Sequence, residues 1–326
     1  MNRRTFFLLF FACIAAAALL YNGFFLAGDK QKIYRIAVIS PSTHPSLKSI
    51  EEGFKDSLVA SPHAFSFRFY RGDGDLRSLN SKITKMALNK YDLIVTVGAD
   101  ATVLTMDKFK EKGIKTPVVF TSVPVSVKEK LIPKRENRQL TGVVEVNDYR
   151  RQIQVIKQLK KDLKNITLVY DESNRCIAED VDEIRTILAD TPVSITAVGI
   201  SEGSQIEPKL TQVENLDVVL VLKDNLVVDN LDQLVLVCNR KKVPLITTEL
   251  DSVGRGAAVG YGVIERSFGE EAAKRAYNIL VDKKKPSDVT VGPVDHFYVL
   301  VNDSASVMQG LAVEPETIES LRRQGF

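Results

Sequence analysis

The sequence predicts an α/β protein of two lobes, each a parallel sheet covered by helices on both faces, and three observations carry that reading. From Lys32 onward, short runs of branched apolar residues alternate with longer amphipathic stretches, the pattern of strand–helix–strand repetition. The apolar runs are continuous rather than alternating, as in strands without a solvent face, and such strands belong to parallel sheets. The series also runs twice. One ends near "TGVVEVNDYRRQIQ" and another starts at "NITLVYDESN", giving two units of roughly a hundred residues each, an ordinary domain size.

In chain order, the runs at 34–39, 65–70, 93–97 and 118–120 predict the strands of the first unit, and 166–170, 194–198, 218–222 and 245–247 those of the second. Between them, 46–60, 77–89, 99–112, 150–159, 178–188 and 230–240 carry apolar residues at three- and four-residue intervals. Each therefore presents one apolar stripe as a helix. The stretches 141–146 and 258–263 are the expected crossings between the units, and Gly260 and Gly262 around Tyr261 give the second one backbone freedom. Helical "SFGEEAAKRAYNIL" then returns to the first unit. The expected division places 32–143 with 263–288 in one lobe and 144–262 with 289–326 in the other, joined by a hinge.

Ahead of the lobes, Arg3 and Arg4 precede an apolar run from Phe6 to Ala27, close to the ~20 residues that span a bilayer as a helix. The arginines stay cytoplasmic, so the body is delivered outside the inner membrane. Residues 1–31 are then either an uncleaved membrane anchor or a signal peptide cut near Ala16-Ala17-Ala18. Cleavage there leaves "LLYNGFFLAG" as an apolar tail, which favours the anchor. Cys13 lacks the neighbours usual before a lipidated cysteine.

Composition narrows the function classes. The 326 residues are 44% hydrophobic and 26% charged, with a net charge of +3, which is globular and without the basic footprint of a nucleic-acid binder. Three scattered histidines and no C-x-x-C spacing give no metal site, and pairing of Cys176 with Cys238 stays open. "GRGAAVG" has Val259 where a dinucleotide fingerprint needs glycine. No phosphate loop or Ser–His–acid arrangement is recognisable, so neither an enzyme nor a bound cofactor is expected.

Parallel sheets bind ligands outside the carboxyl ends of their strands, where helix N-termini offer free amide donors. The residues after each strand are therefore the candidates. Ser40, Thr43 and His44 follow the first strand, where Ser42, Thr43 and Ser46 equally serve as helix caps. Gly98 and Ala99 let a ligand approach the backbone, and Asp100 is either a ligand group or a helix-dipole partner. Thr121 and Ser122 supply hydroxyls; Tyr170, Asp171 and Asn174 offer a ring, an acid and an amide. In "VVLVLKDNLVVDN", Lys223, Asp224 and Asn225 stand at the mouth of a buried strand. The acid and amide suit an ammonium group or sugar hydroxyls, and the lysine suits a carboxylate. Alternatively, Asp224 or Asn225 caps a helix and Lys223 faces water. Glu249 and Asp251 follow the last strand, and Tyr261 lies in the second crossing. So many polar strand ends in one sheet system favour a ligand cleft over independent caps.

The ordered series "HPSLKSIEEGFKDSL", "YDLIVTVGADAT", "KTPVVFTSVPV", "LTGVVEV", "NITLVYDESN" and "DVVLVLKDNLVVDNLDQLV" resembles the ABC-transporter substrate-binding protein family that includes tryptophan- and tyrosine-binding, TrpX-type proteins. The resemblance covers roughly Ile33 to Leu321. It implies a type I periplasmic-binding-protein fold, with two Rossmann-like lobes, three hinge strands and a ligand clamped between the strand ends. The chain differs from the usual family pattern at Asp100, at Asp171-Glu172 and in "FTSVPV", so the resemblance names a cleft and not a substrate.

The expected function is the extracytoplasmic solute-binding component of an ABC-type uptake transporter. Its ligand is a small polar solute, amino-acid-like, and its partners are membrane permease and ATPase subunits. The alternative is a membrane-tethered ligand-sensing subunit of the same fold that feeds no transporter.

Overall fold

The computed structural model of the protein describes residues 32–131 and 139–323. The expected anchor or signal peptide at 1–31 lies outside the described residues, as does the side chain of Cys176. Among the described residues, no helix is long and apolar enough to cross a membrane.

The chain forms two six-stranded sheets. The first uses β1 (Ile33–Ser40), β2 (Ala64–Arg71), β3 (Leu93–Val97), β4 (Val118–Pro124) and β5 (Leu140–Glu145). The second uses β6 (Asn165–Asp171), β7 (Ser194–Ile200), β8 (Val218–Val221), β9 (Leu245–Thr247) and β10 (Val259–Gly262). The closing strands are β11 (Gly292–Pro293) and β12 (Tyr298–Val301). The strand orders are β11-β5-β4-β3-β1-β2 and β12-β10-β9-β8-β6-β7, so the second half repeats the topology of the first. Pairing is parallel except for β12, which runs antiparallel to β10. Each sheet carries an apolar core on both faces, which is why β3 and β8 are apolar almost throughout and fully buried.

The helix Glu265–Leu280 returns to the first lobe and packs along the helix Pro45–Val59 through Phe268, Ala272, Ile50 and Phe54. The backbones touch. A Cβ on Gly269 would lie 1.9 Å from the Ile50 carbonyl oxygen, and one on Gly53 2.3 Å from that of Arg266. Only glycine fits such an approach. Buried hydroxyls tie the segment down further: Thr121 Oγ1 donates to the Phe268 carbonyl at 2.9 Å and Thr141 Oγ1 to that of Val289 at 2.7 Å.

The chain passes between the sheets at 146–148, 263–264 and 294–297. The stretches expected as crossings, 141–146 and 258–263, are largely strands β5 and β10, and the chain leaves each sheet directly after them. Sheet membership therefore changes later than the expected limits of 143 and 288, since β5 runs to Glu145 and Gly292–Pro293 still pairs with β5. Side by side, the crossings bring the carboxyl ends of the two sheets together. Phe297, in the last crossing, stacks on Tyr261 with ring centroids 5.4 Å apart.

Candidate functional site

A cavity of about 130 Å3 lies where the two sets of strand ends meet. From the first lobe it is lined by His44, Ser46, Ser122 and Glu145, with Glu265 from the returning helix; from the second it is lined by Lys223, Asp224, Asn225 and Glu249.

His44 and Ser46, on either side of Pro45, build one wall. Pro45 starts the helix with its φ already set, and His44 caps it, its Nδ1 accepting from the Ser46 N–H at 3.3 Å. The other His44 nitrogen lies 3.7 Å from the Asp229 carboxylate of the second lobe. Ser46 Oγ also reaches across, donating to Glu249 Oε1 at 2.5 Å. The second oxygen of Glu249 accepts from Ser252 at 3.0 Å.

At the mouth of β8, Lys223, Asp224 and Asn225 have three different roles. Asp224 is buried and holds backbone: Oδ2 accepts from the Asp171 N–H at 2.7 Å and Oδ1 from Val227 at 3.3 Å. It thereby caps the helix Asn225–Asp229 and pins it to the end of β6. Burial raises its pKa, and the backbone N–H donors around it work against that rise. Asn225 is exposed on the rim. Lys223 turns into the gap between the lobes. Its Nζ lies 2.7 Å from Glu145 Oε1 and 2.7 Å from Glu265 Oε1, with the side chain only 20% exposed. The directed hydrogen bond goes to Glu265, and the ammonium sits 5.0 Å over the Phe268 ring.

Burial opposes the charge on Lys223, but Glu145 and Glu265 outweigh it and hold its pKa above the ordinary lysine value. Glu265 is 8% exposed. Burial and the nearby Glu145 push its pKa up to about 7 in spite of the lysine. One ammonium is therefore shared by two carboxylates, and the compensation is incomplete. Glu145 is also braced by Ser122, whose Oγ donates to Oε2 at 2.9 Å. Ser122 stands at the irregularity in the β4–β5 register, with φ of 52°, and that turn of the backbone aims the hydroxyl at Glu145.

Of the sequence candidates, His44, Ser122, Lys223, Asp224, Asn225 and Glu249 line this cavity. Tyr261 lines a smaller void at its floor, together with Glu145, Gln152, Lys223, Thr248 and Phe268. Ser40 points below the cleft, donating to the buried Glu51, which Arg71 neutralises. Thr121 is spent on the Phe268 carbonyl. Thr43, Gly98, Ala99, Asp100, Tyr170, Asp171, Asn174 and Asp251 are not among the residues lining either space. Sequence reasoning missed Glu145 and Glu265 as site residues and took Ser46 only as a cap. Both glutamates directly adjoin chain crossings, which was the available signal.

A model of the family described as ABC transporter substrate binding protein matches residues 35–321. A tyrosine-binding protein of Clostridioides difficile is 23% identical over 282 residues, covering 84% of this chain and 80% of its own. A conserved domain protein of Vibrio cholerae superposes with a TM-score of 0.77 at 20% identity, over 88% of this chain and 98% of its own. The ABC domain of Streptococcus pneumonia in complex with L-Trp gives 0.75 at 20%, over 87% and 98%.

Proposed function

The chain belongs to the ABC transporter substrate-binding protein family, and on that basis we propose that it is the extracytoplasmic solute receptor of an ABC-type uptake system. It takes a small amino-acid-like solute between its lobes and presents the closed form to a membrane permease and its ATPase. The single observation that carries this reading is the lobe boundary itself. The two sets of strand ends face each other around a cavity, bridged by side-chain contacts: Lys223 to Glu145 and Glu265, and Ser46 to Glu249. Such contacts re-form with water when the lobes part, so a bound solute needs only modest differential affinity to shift the balance toward closure. The tyrosine-binding relative and the L-Trp complex support an amino-acid-like ligand. The receptor binds and releases; it does no chemistry on its solute.

The test is mass spectrometry of small molecules released by unfolding the purified full chain, followed by isothermal titration of each compound found. One solute per chain that binds again to the stripped protein is the expected result. A protein that carries none, and is not stabilised by any compound of an amino-acid and amine library, would contradict the proposal. Retrieval of permease and ATPase subunits with the chain separates a transport receptor from a sensor.

A further inference from the structure

The charge inventory of the cavity narrows the solute further, on the understanding that the cleft is a solute site. Three glutamates line it, Glu145, Glu249 and Glu265, against a single lysine. Lys223 is already shared between Glu145 and Glu265. Glu249, 7% exposed, has only the hydroxyls of Ser46 and Ser252 as donors, and no Lys or Arg pairs with it among the described residues. A buried carboxylate without a counter-charge is costly, and each of its oxygens retains accepting capacity. Asp224 is committed to the backbone, its oxygens accepting from the Asp171 and Val227 N–H groups.

Among the described residues no arginine lines the cavity, and a solute carboxylate would meet the glutamates and a lysine already shared between two of them. Two further side chains at the cleft floor lack a partner, one a hydroxyl that can accept from an amine and the other an amide donor that cannot. Thr248 Oγ1 and Gln152 Nε2, on residues 5% and 1% exposed, have no hydrogen-bond partner among the described residues. Both line a void of about 10 Å3, room for no more than a single water, that also touches Lys223 and Glu145. Buried polar atoms of this kind are rarely left unpaired unless a ligand or water completes them.

We infer that the solute is recognised through a cationic amine, held by Glu249 at the lobe boundary with Glu145 beside it, and that it needs no carboxylate. The amine supplies the missing counter-charge to the acids of both lobes and so favours closure directly. Glu265, held near 7 by incomplete compensation, fits the same shortage of positive charge.

Matched probes test this by titration into the full chain: L-tyrosine, tyramine and 3-(4-hydroxyphenyl)propanoate, and L-leucine, 3-methylbutylamine and 4-methylpentanoate. Within at least one series the amine is expected to bind as tightly as the amino acid or tighter, and about tenfold or more above the acid. Glu249→Gln, and independently Glu145→Gln, should weaken the amine about tenfold, while Lys274→Ala on the exposed face of the returning helix leaves it unchanged. Acids binding as well as amines, or amine affinity indifferent to both glutamine variants, would overturn the inference and leave the solute-receptor reading standing. Binding by none of the six compounds would also overturn it, and the released-solute measurement then decides separately whether the receptor reading survives.

Discussion

Lys223 and Glu265 meet 2.7 Å apart across the boundary between the two lobes, one at the end of β8 and the other at the first turn of the helix that returns to the first sheet. The pair is a contact that opening must break. Separating the lobes costs the ion pair, and in return it hydrates Lys223, Glu145 and Glu265 together.

Lys223→Met should therefore shift the free protein toward an open form more than it unfolds it. In a closed cleft, removing the lysine strands two buried carboxylates, a loss of about 3–5 kcal/mol for a buried pair; hinge opening relieves most of it. Small-angle scattering is expected to give a larger radius of gyration than wild type, with the urea midpoint lowered only slightly. An unchanged radius would mean that the ion pair does not hold the lobes together.

Glu265 sets a pH dependence of defined sign. Its pKa is raised in the closed fold to about 7, so the closed form binds a proton more readily than the open or unfolded chain. Closure and stability are thus fullest below the ordinary glutamate value and fall as pH rises from there through about 7. Asp180, which burial raises to about 6, adds to the same trend. Glu265→Gln should flatten the stability profile between about pH 5 and 7.5 by roughly 1–3 kcal/mol. Asp180→Asn should flatten only its lower part, and denaturant titrations across pH check both.

Ser46→Ala removes the 2.5 Å hydrogen bond to Glu249 while leaving the His44 cap of the same helix in place. A loss of about 1–3 kcal/mol is expected for a hydrogen bond to a buried charge, falling on solute affinity rather than on unfolding. Comparing titration affinity with thermal midpoint separates the two.

Gly269→Val places a side chain where the Ile50 carbonyl oxygen would be 1.9 Å away, forcing the helices Pro45–Val59 and Glu265–Leu280 apart. A destabilisation of about 3 kcal/mol or more is expected. Gly254→Ala, which meets nothing within 4 Å, should be nearly neutral. Equal midpoints for the two variants would refute the close helix contact.

The fold was legible because two-sided burial writes itself into the sequence: "LIVTV" and "VVLV" have no polar face to hide. Strands β5 and β10 were read as crossings, the second for the backbone freedom that Gly260 and Gly262 give around Tyr261. In the structure, Gly142 lies against Phe120 and Gly262 against the Thr248 carbonyl, so the glycines serve close packing within a sheet. At the site, local chemistry identified the residues but not their partners. Lys223-Asp224-Asn225 was visible as an anomaly, and the cap role of Asp224 was one of its two readings. That Lys223 would find Glu145 and Glu265 depends on how two lobes meet, and no local pattern encodes that. Ser46 shows the same limit, since a serine at a helix start reads as a cap whether or not its hydroxyl reaches another lobe.

The most direct test of a solute held between the lobes is a crystal structure of the full chain grown with the tightest-binding compound from the titrations. Density for that compound in contact with Glu249 and within reach of Ser46 and Lys223 is the expected result. A cleft filled only by solvent, with the compound bound elsewhere on the chain, would contradict it.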